Sequence, residues 1–160
     1  MKLQKDIILR IPDCIFNKAI ECVNNAYPNE ACGLIFGRKK EVKIDDNDYN
    51  YEYIGKKFIC VESDEKSSIA FLIKNENKLN SIFMEVGKEV NMKLLSIFHS
   101  HPSGNHPSRI DKKNMKLLNN SNLKAFKYSI WSIMDGRDKT MNGFIYYNND
   151  VYQIQIKREN

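Results

Sequence analysis

Residues 97–111 read IFHSHPSGNHPSRID, and this stretch contains all three histidines of the 160-residue chain. A short apolar run leads into His99 and His101, and a loop rich in Pro, Ser and Gly follows them. Side chains two positions apart on a β-strand project from the same face, so the two imidazoles would lie side by side. Beyond the loop, Ser108 and Asp111 stand at the start of a predicted helix. The stretch therefore predicts a strand, a tight loop and a helix that bring polar side chains together.

This grouping of side chains is typical of a metal site. Imidazole is a common zinc ligand, and a catalytic zinc ion takes three protein ligands and leaves one position for water. Because the loop turns the chain back, Asp111 in the first helical turn can face both imidazoles. We therefore expect Zn²⁺ to be bound by His99, His101 and Asp111. His106 is an alternative fourth ligand, although an exposed loop residue is the simpler interpretation.

The same residues also allow interpretations without a metal. Ser108 and Asp111 match a capping box, in which Ser108 is the N-cap and the Asp111 carboxylate reaches back to its amide. A single histidine in a strand is usually only hydrogen-bonded. Two imidazoles and a carboxylate on one face are costly to bury without an ion, and this combination favours metal binding.

Glu30 is the residue that we single out as a candidate general base. It lies between a predicted helix, which ends by Pro28, and a predicted strand over residues 31–37. A carboxylate at such a junction is often only a helix-end residue. It would act as a base on a metal-bound water if the sheet brought it against the metal.

Outward from this stretch, the chain alternates predicted strands and helices and ends in hairpins. With no linker in the sequence, this order predicts an α/β fold with a mixed sheet, in which residues 1–160 form one domain. Strands are predicted over residues 7–11, 31–37, 41–44, 57–62, 69–73, 93–101, 126–134, 144–147 and 151–156, with 41–44 pairing with 31–37. The predicted helices begin at Pro12 with the inward residues Ile15, Ala19, Cys22, Val23 and Ala26, span residues 75–91 with Leu79, Ile82, Phe83, Val86 and Val90, and begin near Ser108 with Ile110, Leu117 and Leu118.

Composition argues against several other classes of protein. Hydrophobic residues at 42% and charged residues at 28% exclude a disordered or fibrous chain. No apolar run approaches about 18 residues and no signal-peptide pattern opens the chain, so we expect a cytoplasmic protein that binds no membrane. A net charge of +5 would be consistent with nucleic-acid binding, but it is spread over lysines without a basic stripe, so we expect a solvated surface and no nucleic-acid partner. The four cysteines form no CxxC pair, and we expect buried, reduced thiols.

Two segments together resemble a known family. PNEACGLIFG at residues 28–37 and HSHP…PSRID at residues 99–111 resemble the JAMM metalloprotease motif of the MPN domain, the Mov34/PAD-1 group. That motif places a Glu far upstream of His-x-His-Pro, a short loop and Ser-x-x-Asp. The resemblance covers nearly the whole chain in element order. It implies a compact prokaryotic member with a curved, mixed central sheet flanked by about three helices, as in cytidine-deaminase-like folds.

The resemblance implies a role for each motif residue. His99, His101 and Asp111 would bind Zn²⁺, and Glu30 would deprotonate the metal-bound water and pass the proton to the leaving amine. Ser108 would donate a hydrogen bond to the oxyanion of the tetrahedral intermediate. The loop between His101 and Ser108 is one residue shorter than the family usually has, and this departure concerns the placement of Ser108 more than that of the ligands.

A zinc metallopeptidase is the activity that the resemblance implies. The expected reaction is isopeptidase cleavage, similar to that of deubiquitinases, after the C-terminal Gly-Gly of a small ubiquitin-like or sulfur-carrier protein. One alternative is an enzyme that releases a sulfur-carrier protein with a free C-terminus, or frees cysteine from it; the HPSG segment also resembles the RadC-type branch of the superfamily. Another alternative is a non-catalytic MPN scaffold, although such members typically lack the metal residues. The sequence favours no particular oligomeric state.

Overall fold

The structure is a computed structural model that describes residues 6–62 and 74–160. This part of the chain contains seven strands and three α-helices. The strand predicted over residues 69–73 lies outside the described residues. The helices are α1 (Asp13–Ala26), α2 (Glu76–Val86) and α3 (Arg109–Asn119), with a 3₁₀ turn at Lys124–Phe126. The strands are β1 (Ile7–Pro12), β2 (Cys32–Asp45), β3 (Asp48–Val61), β4 (Lys93–His101), β5 (Ile130–Asp135), β6 (Met141–Tyr147) and β7 (Asp150–Glu159).

The strands close into a barrel in the order β1-β3-β2-β4-β5-β6-β7, and β7 pairs back onto β1. The pairs β1–β3, β1–β7 and β4–β5 are parallel, whereas the other described pairs are antiparallel. The predicted α/β class, with a mixed and curved sheet and three helices, is confirmed.

β4 is buried on both faces and separates two apolar clusters. Phe98 packs into the cluster that includes the inner face of α1, whereas Ile97 packs into the cluster beneath α2 and α3. Because side chains alternate along a strand, His99 projects on the same side as Ile97. The end of β4 therefore presents its polar side chains towards the start of α3.

β2 and β3 are longer than predicted. The segments 31–37 and 41–44 do not pair with each other, because both belong to the single strand β2. That strand is buried over its first half, and its exposed second half forms a hairpin arm in which Asp45 lies opposite Asp48. The polar composition of the arm resembles that of a turn, so the pattern alone predicted a break. Similarly, the strand predicted from residue 126 begins at Ile130, after the 3₁₀ turn.

Two helices depart from their predicted apolar faces. α2 ends at Val86, so that Val90 lies beyond it and is 81% exposed. On α3, Leu118 is buried as predicted, but Ile110 and Leu117 are 70% and 54% exposed. The buried stripe of α3 is instead Asp111, Met115 and Leu118, at the helical spacing i, i+4, i+7. A polar residue therefore belongs to the inward face, which hydrophobic periodicity cannot detect.

The prediction of reduced thiols is wrong for two of the four cysteines. Cys22 and Cys60 form a disulfide, because the buried face of α1 packs across β3 and brings the two side chains together. Cys14 and Cys32 are free, the first exposed and the second buried. None of the described helices has the length and apolar character needed to cross a membrane.

Candidate metal centre

The first two site residues lie at the end of β4. His99 is fully buried, pairs with Cys32 of β2, and has the Trp131 ring edge-on at 5.9 Å. His101, the last residue of the strand, is partly buried and lies opposite Asp135 of β5. Strand pairing with β2 and β5 therefore holds the backbone at His99, and pairing with β5 holds it at His101.

Asp111 reaches the same point from the first turn of α3. Its Oδ2 accepts a hydrogen bond of 2.7 Å from the Ser108 N–H, and its own N–H donates to Ser108 Oγ at 3.1 Å. This arrangement is the capping box expected from the sequence. The same carboxylate also contacts both histidines, so the capping interpretation and the ligand interpretation of Asp111 hold together.

The three side chains form a compact triangle. His99 Nε2 and His101 Nε2 are 3.1 Å apart, and they lie 3.2 Å and 3.1 Å from Asp111 Oδ1 and Oδ2, respectively. Tetrahedral coordination with metal–ligand bonds of about 2.0–2.1 Å separates neighbouring ligand atoms by about 3.3–3.4 Å. The spacing and the two-nitrogen, one-oxygen donor set therefore fit a metal ion, and this group can hold one.

His106 lies apart from this group. It is exposed, and its ring packs at 5.8 Å from the ring of Phe144 in β6. Within the described part of the chain, the cluster of candidate ligands consists of His99, His101 and Asp111 alone. The simpler of the two sequence interpretations, an exposed loop residue, describes the position of His106.

The hydrogen bonds between Asp111 and the histidines shift the pKa values of Asp111 and His101 in opposite directions. Burial would raise the pKa of Asp111, but hydrogen bonds to His101 and His99 hold it well below its usual range. The hydrogen bond that His101 donates to Asp111 raises the pKa of His101, against the effect of burial. The lowered pKa favours the carboxylate form of Asp111, which is the form that binds a metal ion.

Glu30 is held next to the histidines by its neighbour in sequence. The Ala31 N–H donates to Ser100 Oγ at 2.8 Å, and the Ser100 N–H donates to the Ala31 carbonyl at 3.0 Å. Ser100 stands between the two histidines in sequence, so this pair of bonds joins the backbone at Glu30 to β4. Burial raises the pKa of Glu30, while the charges of His99 and His101 lower it. Glu30 is half-buried, and its carboxyl group lies close enough to His99, His101 and Asp111 for their charges to shift its pKa.

Asp135 is a residue of this site that the sequence analysis missed. It ends β5, and its two carboxylate oxygens accept hydrogen bonds of 2.7 Å from the N–H groups of Gly104 and Arg137. Gly104 lies in the loop between the histidines and α3 and has a φ of +90°, which favours glycine. Asp135 thereby anchors the loop between β4 and α3. Residues 135–137 read DGR, a pattern typical of a turn, and a turn Asp looks the same in sequence whether or not it also binds a second loop.

Tyr27 forms one rim of the site. It is 48% exposed, and a Cβ atom added at Gly136 would lie 3.1 Å from its ring and 2.9 Å from the His101 carbonyl. The Gly136 N–H donates to that carbonyl at 2.8 Å. Lys139 lies over the Tyr27 ring at 5.8 Å from its centroid. An aromatic side chain and a cation therefore border the entrance next to His101.

The comparison with known families decides the family of this chain. The model for prokaryotic homologues of the JAB domain matches residues 15–144. The chain belongs to this family. The resemblance drawn from the two sequence motifs, to the JAMM/MPN group, is thereby confirmed. This prokaryotic JAB protein matches no curated protein.

Two solved structures are similar to this JAB protein. Protein DSY2949 from Desulfitobacterium hafniense is 18% identical, with a TM-score of 0.66 over 96% of this chain and 92% of that one. This similarity shows a shared fold. AF2198, a JAB1/MPN domain protein from Archaeoglobus fulgidus, is 17% identical, with a TM-score of 0.48 over 92% of this chain and 97% of that one.

Proposed function

We propose that this JAB protein is a zinc-dependent peptidase that cleaves after the C-terminal Gly-Gly of a small ubiquitin-like or sulfur-carrier protein. The observation that supports the proposal is the convergence of five side chains: the triangle of His99, His101 and Asp111, the half-buried Glu30 carboxylate beside it, and Ser108 at the adjoining helix start. A non-catalytic scaffold would not need all five. The substrate class comes from the family resemblance.

His99, His101 and Asp111 would hold the zinc ion. When bound, zinc acidifies a water molecule to a pKa of about 7 and polarises the scissile carbonyl. Two neutral imidazoles and one carboxylate are a donor set that suits this ion. The remaining steps fall to residues around it.

Glu30 would take a proton from the attacking water and deliver it to the leaving amine. Its raised pKa, which results from burial, brings a carboxylate closer to the value suited to proton transfer in both directions. The hydrogen bonds between Ala31 and Ser100 fix the backbone beside it, so that the base is oriented before substrate binds.

Ser108 would donate a hydrogen bond to the oxyanion. Its Oγ already accepts a hydrogen bond from the Asp111 N–H, but a hydroxyl has one donor and two acceptor sites, so its O–H remains able to donate. The capping box orients this hydroxyl at an exposed position beside the ligand Asp111. A donor placed where charge develops is worth about 10²–10³ in rate.

The test combines elemental analysis with cleavage of two substrates: a fluorogenic peptide that ends in Gly-Gly, and ubiquitin joined through its Gly-Gly terminus to a lysine. We expect stoichiometric zinc, loss of cleavage after dialysis against a chelator, and recovery with Zn²⁺. A fully active protein without metal would refute the zinc assignment. A third substrate, a sulfur-carrier protein with cysteine attached to its Gly-Gly terminus, separates the two alternatives. Cleavage of the lysine conjugate indicates an isopeptidase, whereas release of cysteine from the carrier indicates sulfur-carrier processing.

The variant Glu30→Gln tests the proposed base. Glutamine has the same shape but cannot accept the proton, so we expect a loss of about 10²–10⁴ in kcat with zinc retained. The matched control is Glu21→Gln, which removes an exposed carboxylate from α1. Full turnover by Glu30→Gln would remove Glu30 from the mechanism, whatever the metal content.

A further inference from the structure

An open groove of about 680 Å³ lies between α3 and the turn that joins β6 to β7. The helix side of the groove carries four basic residues, namely Arg109, Lys112, Lys113 and Lys116. None of the four has an ion-pair partner within residues 6–62 and 74–160, whereas Arg10, Lys57 and Arg158 elsewhere are paired. The groove therefore offers unneutralised positive charge to whatever enters it.

Exposed apolar side chains accompany this charge. Ile110 lines the groove and is 70% exposed, and Leu117 lies two turns further along the same helix at 54% exposure. Residues separated by seven positions share one face of a helix. The outer face of α3 is therefore aliphatic as well as basic, which explains why these two residues matched an inward stripe in the sequence.

The composition of the groove favours a protein surface over a nucleic acid. The opposite wall carries the Asp150 carboxylate, which would repel a phosphate backbone. The same wall carries Tyr146, which is 6% exposed and whose hydroxyl donates a hydrogen bond to Asn149 Oδ1. The ring of Tyr146 is therefore not free to stack on a base. An acidic protein surface with an aliphatic side chain would satisfy both the lysines and Ile110.

The position of the groove connects it to the metal centre. Asp111 is buried in the first turn of α3, whereas its neighbours Arg109, Ile110 and Lys112 are exposed on the outer side of the same turn. A protein whose extended tail entered the metal site would thus rest its folded body beside this helix. We propose that the groove docks the body of the substrate protein, through an acidic patch that presents an aliphatic side chain. The identity of this occupant rests on the proposed function, whereas the basic and aliphatic character of the groove is independent of it.

The direct test is fluorescence anisotropy with a labelled, short helical peptide that carries Glu on one face and Leu beside it. The double variant Lys112→Glu/Lys113→Glu should weaken binding by about tenfold or more, and added NaCl should weaken binding to the wild type. The matched control is Lys18→Glu/Lys56→Glu, which makes the same charge change at two exposed lysines outside the groove and should leave binding unchanged. Peptides with Glu→Gln or Leu→Ser should bind more weakly.

Three results would overturn the proposal: no binding of the peptide, equal loss of binding in the two double variants, or tighter binding of a single-stranded DNA oligonucleotide of equal charge.

A kinetic experiment separates this inference from the proposed activity. Attaching the peptide ahead of a fluorogenic Gly-Gly tail should lower KM in the wild type, and Lys112→Glu/Lys113→Glu should abolish that gain without changing kcat for the bare tail. If no tail is cleaved but the peptide still binds in the groove, the result refutes the proposed activity and supports the docking surface.

Discussion

Reduction of the Cys22–Cys60 disulfide should destabilise the protein by an amount that follows from the chain between the two cysteines. They are separated by 38 residues, and closing a loop of that length removes about 13 cal/mol/K of chain entropy from the unfolded state, or about 4 kcal/mol at 25 °C. At this chain length, 4 kcal/mol corresponds to a fall in Tm of about 12 °C. Since Cys60 is exposed, a small thiol reductant can reach the bond in the folded state.

The assay compares urea unfolding of the same protein with and without reductant, so that no atom other than the two thiol hydrogens changes. In the unfolded, oxidised protein, a thiol reagent should titrate only Cys14 and Cys32. The double variant Cys22→Ala/Cys60→Ala should be insensitive to reductant, whereas Cys14→Ser, which alters an exposed free thiol, should respond as the wild type does. Identical unfolding midpoints in the two redox states, or four titratable thiols in the oxidised chain, would refute this reasoning.

Three further substitutions probe the site. Ser108→Gly should change the free energy of unfolding by only about a few tenths of a kcal/mol, because glycine is tolerated at an N-cap. It should lower kcat by about 10²–10³, because the oxyanion donor is lost. An unchanged kcat would argue that the shortened loop places the hydroxyl elsewhere. Asp135→Ala leaves the Gly104 N–H without its acceptor, so kcat should fall by about tenfold or more with zinc content unchanged, and full activity would contradict a positioning role. His106→Ala should leave zinc affinity unchanged in a competition titration, because its ring packs against Phe144; a loss of tenfold or more would restore it as a ligand.

Local pattern was enough to locate the elements that carry the site. β4 spans the predicted residues 93–101, and α1 begins at Asp13, one residue after the predicted start at Pro12. In both cases a clear apolar period is bounded by a proline or by a loop that contains Pro, Ser and Gly, and such signals depend only on nearby residues. The same holds for the capping box at Ser108, whose partners are three residues apart.

Local pattern failed where the decisive neighbour is distant in sequence. Ile110 and Leu117 look like core residues in any helical projection, but α3 is rotated so that Asp111 faces the histidines. The Cys22–Cys60 disulfide depends on the packing of α1 across β3, and the hydrogen bond from Gly104 to Asp135 depends on β4 and β5 lying in parallel. No spacing rule within the chain encodes these contacts.

The sequence by itself determined the family of the chain and the identities of the candidate ligands, since a motif of His-x-His and Ser-x-x-Asp with an upstream Glu is a statement about residue types and intervals. Only the tertiary structure decided that the side chains of His99, His101 and Asp111, from β4 and α3, contact one another at 3.1–3.2 Å. It also decided that Ser100 joins Ala31 to β4, which brings Glu30 beside them. It also decided that the outer face of α3 is a basic groove rather than core. The physical reason is that ligand geometry and burial depend on how separate elements pack across the barrel, whereas residue order constrains only what lies within each element.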